Sequence, residues 1–365
     1  MKLATLIAAL EAIAPASLQE SYDNAGLLTG QPDWHCTGAI VSLDATEEVI
    51  DEAISQQCNL VIAHHPIIFK GLKKLNGKNY IERAVIKAIK NDIALYAIHT
   101  NLDNVLEGVN GMIAEQLGLL QTRVLAPRAD ALLKLVVFVP EAQAEAVRNA
   151  LFAAGAGHIG NYSECSFNSD GTGTFTAGSG ANPFIGAIGR QEAAAEIKIE
   201  TIFPAWLKGQ IIAAIRTAHP YEEPAFDMYP LANMHQRVGA GLVGSLPSHM
   251  AETAVLTRLK EIFRVPVLRH SPLTGRPVQV VALCGGAGSF LIPNAIAAKA
   301  DLYITGDMKY HEFFDADSRI LIADPGHYET EQFTTDLLIR LLREKFPTFA
   351  ALKTGVRTNP VHYFL

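Results

Sequence analysis

An apolar run that leads directly into two histidines and a proline is the feature that most constrains how this chain can fold. The run Leu60–Ala63 has the length of a strand buried on both faces, and His64 and His65 follow it. Pro66 has no N–H to donate to a ladder and favours extended backbone at the residue before it, so the strand should end here. We therefore predict two imidazoles at the carboxyl rim of a sheet, where ligands bind in open α/β folds.

Other apolar strands alternate with helices on both sides of this strand. The first part of the chain predicts an amphipathic helix from Leu3, strand Ala39–Asp44, helix Glu47–Gln57, helix Tyr80–Asn91 and strand Ile93–His99. The last part predicts strands Pro277–Leu283, Asp301–Asp307 and Arg319–Ala323, and then a helix to about Lys345. This alternation predicts a three-layer α/β/α main domain with a largely parallel sheet and helices on both faces.

The order of predicted strands and helices changes in the middle of the chain, beginning near Pro127. Its predicted elements follow the order β-α-β-β-α-β, which suits a small ferredoxin-like α+β domain. The segments before and after it look like two halves of one larger domain. We therefore predict a first half of the main metal-binding domain at 1–126, an inserted ferredoxin-like domain at 127–235 and the second half at 236–365.

Composition excludes several classes of protein. The formal charge of −7 and the lack of a Lys/Arg block exclude an electrostatic footprint for nucleic acid. The uncharged stretch 278–298 is interrupted by glycines and a proline, which favours strand–loop–helix over a membrane span. The four cysteines are far apart with no CxxC, as in a cytoplasmic protein with reduced thiols. These cysteines are Cys36, Cys58, Cys165 and Cys284.

Three predicted strands end in residues of the kind that bind metals. His327 and Glu331 are four residues apart at a helix start, so their side chains share one face. Nitrogen and carboxylate donors suit Zn, Mn, Fe or Ni better than a thiolate site would. The candidates exceed what one catalytic zinc with an open position uses, and they suit two divalent ions. The candidate ligands are His64, His65, Asp103, His327 and Glu331.

Structural roles compete with these functional ones. A histidine can be a hydrogen-bonded structural residue, and a strand-terminal aspartate such as Asp44, Asp307 or Asp324 is typical of a helix N-cap. The glycine-rich loop Cys284–Ser289 lies between a strand and a helix, where backbone amides can hold a phosphate. It lacks the Walker lysine and the full GxGxxG pattern, so close backbone packing is an equal alternative.

Several motifs together carry a resemblance to a known family. They are SYDNAGL (Ser21–Leu27), AHHP (Ala63–Pro66), HTNLD (His99–Asp103), CGGAGS (Cys284–Ser289), TGDMKYHE (Thr305–Glu312) and DPGHYETE (Asp324–Glu331). The chain resembles the NIF-three-like family of hexameric proteins with a dinuclear metal centre, often labelled GTP cyclohydrolase type-two homologues. The segment His219–Ala225 resembles the P-II-like inserted domain of its longer members. Tyr22 departs from the family, whose members often have tryptophan there.

The resemblance implies that the five candidate ligands bind two metal ions, with Glu331 as the bridge, in a homohexamer. It also implies a hydrolase that acts on a nucleotide or another small molecule, either as a GTP cyclohydrolase or as a phosphoesterase. Because the ligands use every imidazole in the set, proton transfer needs another group. Candidates are His99, Asp307, Lys309, Tyr310, His311 and Tyr328. The alternative is a non-catalytic metal-binding assembly or regulatory protein with the inserted domain as sensor.

Overall fold

The computed structural model describes residues 1–364, which divide into two units. Met1–Pro127 and the chain from Arg237 onward form the main unit, and Arg128–Gln236 form the inserted unit. Both units combine helices with sheets, so the α/β class predicted from the sequence is confirmed. Within residues 1–364, no helix is both long enough and apolar enough to cross a lipid bilayer.

The first sheet of the main unit contains the strand that ends in the two histidines. Its strands, in spatial order, are β1 (Gly26–Thr29), β4 (Ala94–Ala97), β3 (Leu60–Ala63), β2 (Ala39–Ser42) and β15 (Ala351–Lys353). All neighbours are parallel except β1, an antiparallel edge strand. Every residue of β2, β3 and β4 is buried, as the continuous apolar runs predict.

A second sheet of six strands completes the main unit. Its strands, in spatial order, are β11 (Arg269–His270), β14 (Leu321–Asp324), β13 (Leu302–Gly306), β12 (Val278–Ala287), β10 (His235–Met250) and β5 (Leu120–Arg128). Strands β12, β13 and β14 are parallel to one another. The sequence did not predict that the strands would divide between two sheets, because burial patterns identify strands without identifying their partners.

Nine helices of the main unit cover these sheets within the described residues. They are α1 (Leu3–Ile13), α2 (Glu47–Ser55), α3 (Tyr80–Lys90), α4 (Thr100–Asp103), α5 (Val109–Leu117), α8 (Glu252–Phe263), α9 (Ile292–Ala297), α10 (His327–Glu331) and α11 (Thr334–Lys345). The single helix predicted up to Lys345 is therefore two helices. The hydroxyls of Thr330 and Thr335 donate to the carbonyls of His327 and Gln332, and such bonds compete with the helical ladder.

The inserted unit has one antiparallel sheet and two helices. Its elements are β6 (Leu132–Pro140), α6 (Ala144–Ala153), β7 (Phe167–Thr176), β8 (Gln191–Pro204), α7 (Lys208–Ala218) and β9 (Phe226–Pro230). The spatial order β7-β8-β6-β9, with this connectivity, is that of a ferredoxin-like fold. One face of the sheet packs on both helices through residues such as Val137 and Ile199. Because side chains alternate along a strand, Phe138 and Glu196 lie on the other face.

Candidate metal centre

Strand β3 and helices α4 and α10 bring the five candidate ligands together in the main unit. His64 and His65 follow β3, and Asp103 ends α4. Glu331 lies at the middle of the cluster. Its Oε2 lies 2.9 Å from His65 Nε2 and 3.1 Å from His327 Nε2, whereas its Oε1 lies 3.8 Å from His64 Nε2. Asp103 Oδ1 lies 3.6 Å from His64 Nε2, so the five side chains form one contiguous cluster.

The buried ring of His64 provides the test of whether a metal fits. Its Nδ1 lies 2.8 Å from the carbonyl oxygen of Ile98, which can only accept, so Nδ1 carries the proton. Nε2 therefore presents a lone pair towards the carboxylate oxygens of Asp103 and Glu331. Within residues 1–364, His64 Nε2 and Asp103 Oδ1 are buried without any hydrogen-bond partner. Such a concentration of unpaired acceptors is costly unless a cation lies among them, so these residues fit a metal ion.

His65 and His327 are each oriented by a carboxylate outside the cluster. His65 Nδ1 lies 2.8 Å from Asp44 Oδ1, and His327 Nδ1 lies 2.7 Å from Asp307 Oδ2. This is how proteins commonly fix the ring of a metal-binding histidine. Burial alone would lower the pKa of both rings, but hydrogen bonds to these carboxylates and to Glu331 raise the pKa of His65 to about 10 and that of His327 to about 11. The site thus favours positive charge at both rings.

The two carboxyl groups of the cluster differ in their pKa. Burial and the nearby charge of Glu331 raise the pKa of Asp103 to about 7. Burial also acts to raise the pKa of Glu331, but hydrogen bonds with His327 and His65 hold it well below its usual range. Glu331 is therefore the carboxylate that keeps its negative charge at the centre of the cluster.

Two overlapping groups of donor atoms in this cluster lie close enough to hold a metal. One contains His65, His327 and Glu331, and the other contains His64, His65 and His99, with donor atoms within 4.8 Å of one another in each group. His65 is common to both groups. The sequence analysis predicted His99 as a candidate for proton transfer, and the structure places its ring 5.2 Å and 5.3 Å from the rings of His64 and His65.

A buried carboxylate near the N-terminus holds His99 in place. Asp23 Oδ1 lies 2.8 Å from His99 Nδ1, and Asp23 Oδ2 accepts hydrogen bonds from the backbone N–H and the hydroxyl of Thr100. Burial alone would raise the pKa of Asp23, but these hydrogen bonds lower it to about 2. The Asp23–His99 pair resembles the arrangement that orients a general base. Sequence reasoning named the SYDNAGL motif but gave Asp23 no role.

The predicted glycine-rich loop is mostly the end of strand β12, which extends to Ala287, and it supports close packing rather than phosphate binding. Its glycine amides are already used: Gly285 N–H donates to Asn110 Oδ1, Gly286 N–H to Thr330 Oγ1 and Gly288 N–H to Thr305 Oγ1. A Cβ on Gly286 would lie 2.3 Å from Glu331 Oε1, and a Cβ on Gly306 would lie 2.9 Å from the backbone of His327. The glycines therefore let β12 and β13 approach the helix that carries two candidate ligands.

Asp307 and His311, also predicted as candidates for proton transfer, occupy different places. Asp307 contacts the outer nitrogen of His327, so its role is to position that ring, and the hydrogen bond lowers the pKa of Asp307. His311 is exposed and packs against Tyr310 and Phe314. No contact joins His311 to the cluster among the residues that the structure describes.

Asp44 does not take the helix N-cap role that the sequence offered as the structural alternative. The N-cap of helix α2 is Thr46, whose side chain accepts from the N–H of Val49, whereas Asp44 forms a hydrogen bond with His65. The parallel register of β2 and β3, which pairs Ser42 with Ala63, places Asp44 beside His65. Sequence reasoning would have needed that register to find the contact.

A cavity of about 1100 Å³ opens beside the cluster within the main unit. Its wall includes His65, His99, Asp103, His327 and Glu331. Four partly exposed aromatic residues also line it: Tyr22, Phe69, Tyr80 and Phe290. The cluster is therefore accessible to a bound molecule of substantial size, which would contact aromatic rings as well as the candidate metal-binding residues.

Comparison with known proteins shows which family this chain resembles along its length. The family model for Duf34/NIF3 (NGG1p interacting factor 3) matches residues 1–360. A Halalkalibacterium halodurans protein named GTP cyclohydrolase 1 type 2 homolog is 42% identical over 99% of both chains. A Bacillus subtilis protein of the same name is 42% identical over 88% of this chain and 87% of its own.

Solved structures give the same result. A Bacillus cereus protein described as related to NIF3 is 40% identical, with a TM-score of 0.87 over 100% of this chain and 99% of that one. A Staphylococcus aureus protein is 29% identical, with a TM-score of 0.78 over the same shares. With a family model matched from the first residue to residue 360 and relatives of this identity along the whole chain, the protein belongs to the DUF34/NIF3 family.

Proposed function

We propose that this protein is a metal-dependent hydrolase whose main unit holds two divalent metal ions. The observation that carries the proposal is the pair of buried, unpartnered acceptors, His64 Nε2 and Asp103 Oδ1, within a cluster of imidazole and carboxylate groups. Nitrogen and oxygen donors of this kind suit Zn, Mn, Fe or Ni. The name shared by the curated relatives, GTP cyclohydrolase 1 type 2 homolog, is consistent with hydrolytic chemistry on a nucleotide.

Glu331 is the residue that we assign to bridge the two ions. Its Oε1 faces His64, while its Oε2 faces His65 and His327. The two oxygens of one carboxylate thus point towards different sets of imidazole nitrogens. A histidine, which offers one nitrogen to the cluster, cannot serve two ions in this way. Asp103 completes the set on the side of His64.

When bound, paired divalent ions activate a water molecule and polarise the substrate group that it attacks. The chain must supply the proton transfer, and we assign that role to His99. Asp23 holds its Nδ1, its ring lies beside those of His64 and His65, and it lines the large cavity. Asp44 and Asp307 keep the rings of His65 and His327 oriented.

The cavity beside the cluster supports a nucleotide as the substrate class. Its aromatic residues Tyr22, Phe69, Tyr80 and Phe290 offer surfaces on which a planar base can stack. By the family resemblance we also propose a homohexamer, which light scattering of the full-length protein tests directly.

The proposal is tested by turnover of the metal-reconstituted protein against GTP, other nucleotides and simple phosphoesters. We expect hydrolysis that needs added metal and is lost in His65→Ala. His311→Ala is the matched control, because that histidine is exposed and lies outside the cluster. A protein that holds metal but turns over none of these compounds would instead support the non-catalytic alternative.

A second variant separates proton transfer from metal binding. His99→Gln should keep the metal content of the wild type while turnover falls by about 10²–10⁴-fold, the usual contribution of a general acid or base. Elemental analysis and steady-state rates on the same samples provide the comparison. Loss of metal in His99→Gln would show that His99 is a ligand and would refute its assigned role.

A further inference from the structure

The inserted unit contains a second cavity, which the proposed function does not use. It has a volume of about 570 Å³, within the range of small-molecule sites. Phe138, Glu196 and Lys198, from the face of the sheet opposite the helices, line its floor. Residues of the segment 177–184 and of the segment 221–225 line its sides. The cavity therefore belongs entirely to residues of the inserted unit.

A buried carboxylate lies on the floor of this cavity. Glu196 is only 8% exposed, and its Oε1 accepts a hydrogen bond of 2.9 Å from the hydroxyl of Tyr221. Its Oε2 has no hydrogen-bond partner among residues 1–364. Strand β7 makes room for it with a glycine, because a Cβ on Gly173 would lie 2.2 Å from that oxygen. One oxygen of this buried residue thus remains open to the cavity, while Tyr221 occupies the other.

Three aromatic rings line the same cavity as the carboxylate. The ring centroid of Tyr221 lies 6.0 Å from that of Phe175 and 6.3 Å from that of Phe184, and all three residues line the cavity. Burial and the hydrogen bond to Glu196 raise the pKa of Tyr221 to about 12, so its hydroxyl remains a donor at neutral pH. The faces of such rings attract cations, and their area favours an apolar ligand body.

The charges that line the cavity favour a cation over an anion. Its carboxylates are Asp170, Glu196, Glu222 and Glu223, against Lys198. The ammonium of Lys198 lies 3.3 Å from Glu200 Oε2, so another carboxylate already offsets its charge. Glu222 also accepts the backbone N–H of Asn182 at 2.8 Å, which ties the two side segments together.

We infer that this cavity binds an organic cation of the arylalkylammonium class. The ammonium group donates to Glu196, and the apolar body lies among Phe175, Phe184 and Tyr221. A charge-assisted hydrogen bond to the Glu196 oxygen that Tyr221 leaves open provides specificity for the cation, and the rings provide contact area. This inference does not rest on the proposed hydrolase activity, since it involves neither the metal cluster nor turnover.

The test compares two ligands of nearly the same shape by isothermal titration calorimetry on the full-length protein at pH 7. Tryptamine carries an alkylammonium, and tryptophol carries a neutral hydroxyl at the same place. We expect the wild type to bind tryptamine at least about tenfold more tightly than tryptophol, as a charge-assisted bond implies. In Glu196→Gln, which keeps the shape and an acceptor for Tyr221, the preference should fall to about twofold or less.

Two further variants keep the result unambiguous. Glu145→Gln removes the same charge from an exposed position on α6 outside the cavity, and it should keep the wild-type preference. If Glu196→Gln fails to fold, Phe184→Leu replaces a ring that is 55% exposed, so the fold should tolerate it. That variant should weaken tryptamine binding more than tryptophol binding, because it removes a cation–π contact.

Three outcomes would overturn the inference. In the first, the wild type binds neither ligand at millimolar concentration, and in the second, Glu196→Gln keeps the full preference for tryptamine. In the third, Phe184→Leu changes the oligomeric state in light scattering while the wild type shows no preference for the cation. That result would assign this face of the sheet to contact with a second copy of the chain.

Discussion

The two cavities of this protein differ in the arrangement of the buried polar groups that line them. In the main unit, five titratable side chains converge on one small volume, and His64 Nε2 and Asp103 Oδ1 remain unpaired. In the inserted unit, Glu196 is a buried carboxylate in a cavity that also contains aromatic rings and more carboxylates than cations. Several converging ligand atoms are the arrangement that a metal ion requires, whereas an excess of carboxylate charge beside aromatic rings suits an organic cation.

Glu331→Gln should have the largest effect, because it removes the charge at the centre of the cluster. Both of its oxygens face imidazoles, so the variant should weaken both metal positions. His64→Ala should chiefly empty one position. Elemental analysis after metal loading should find close to two ions per chain in the wild type, about one in His64→Ala and fewer in Glu331→Gln. Full occupancy in Glu331→Gln would show that Glu331 does not bridge the ions.

Metal-free protein should lose stability as the pH rises, because His65 and His327 then depend on protons for their positive charge. Their pKa values are raised to about 10 and about 11 in the folded state, above the ordinary 6.5. A group with a raised pKa contributes its full stability below pH 6.5 and loses it as the pH rises through the folded value. Urea unfolding of chelator-treated protein should therefore show a lower free energy of unfolding at pH 10 than at pH 7.

The inserted unit contains a histidine, His219, whose pKa shift and effect on stability have the opposite direction. Burial lowers the pKa of His219, so its contribution to the stability of the fold is present above pH 6.5 and is lost as the pH falls below that value.

Metal-loaded protein is the control for the pH dependence of the main unit, since bound cations take over the role of the protons. An equal decline with pH in loaded and metal-free protein would contradict this account of the cluster.

Asp44→Asn should have a smaller effect on metal binding than Glu331→Gln. Asp44 contacts the outer nitrogen of His65 and also accepts a hydrogen bond from Thr358. Losing such an orienting carboxylate typically reduces metal affinity by about 10–100-fold. Competition with a fluorescent chelator measures this change, and Asp51→Asn, at an exposed position on α2, is the control. An unchanged affinity in Asp44→Asn would remove Asp44 from the site.

The main-unit cluster could be predicted from the sequence because its residues follow apolar strands at recognisable points. The run Leu60–Ala63 and Pro66 together mark where the two histidines emerge, and the spacing of His327 and Glu331 marks one helical face. The contact between Asp44 and His65 could not be predicted in the same way, because it depends on the register between β2 and β3.

Glu196 shows why the inserted-unit cavity could not be predicted. It lies on β8 in alternation with Lys198 and Glu200, a pattern typical of a solvent-facing side of a strand. Its burial comes from segments distant in the sequence, through contacts with Tyr221 and close approach to Gly173. Nothing local distinguishes it from its half-buried neighbours Lys198 and Glu200, so only the tertiary structure identifies it.

Replacing residues 128–236 with a short Gly/Ser linker should have the smallest effect on the metal centre. The chain leaves the main unit at the end of β5 and returns along β10, its neighbour in the second sheet. A Cβ on Gly239 would lie 2.1 Å from the carbonyl oxygen of Ala126, so the two ends to be joined are adjacent. The shortened chain should keep the metal content of the wild type and a cooperative unfolding transition. It should also lose the preference for tryptamine over tryptophol, while Glu331→Gln in the full-length chain keeps that preference. A shortened chain that is insoluble or free of metal would show that the main unit needs the inserted residues for its own fold, and the two cavities could then no longer be treated as independent sites.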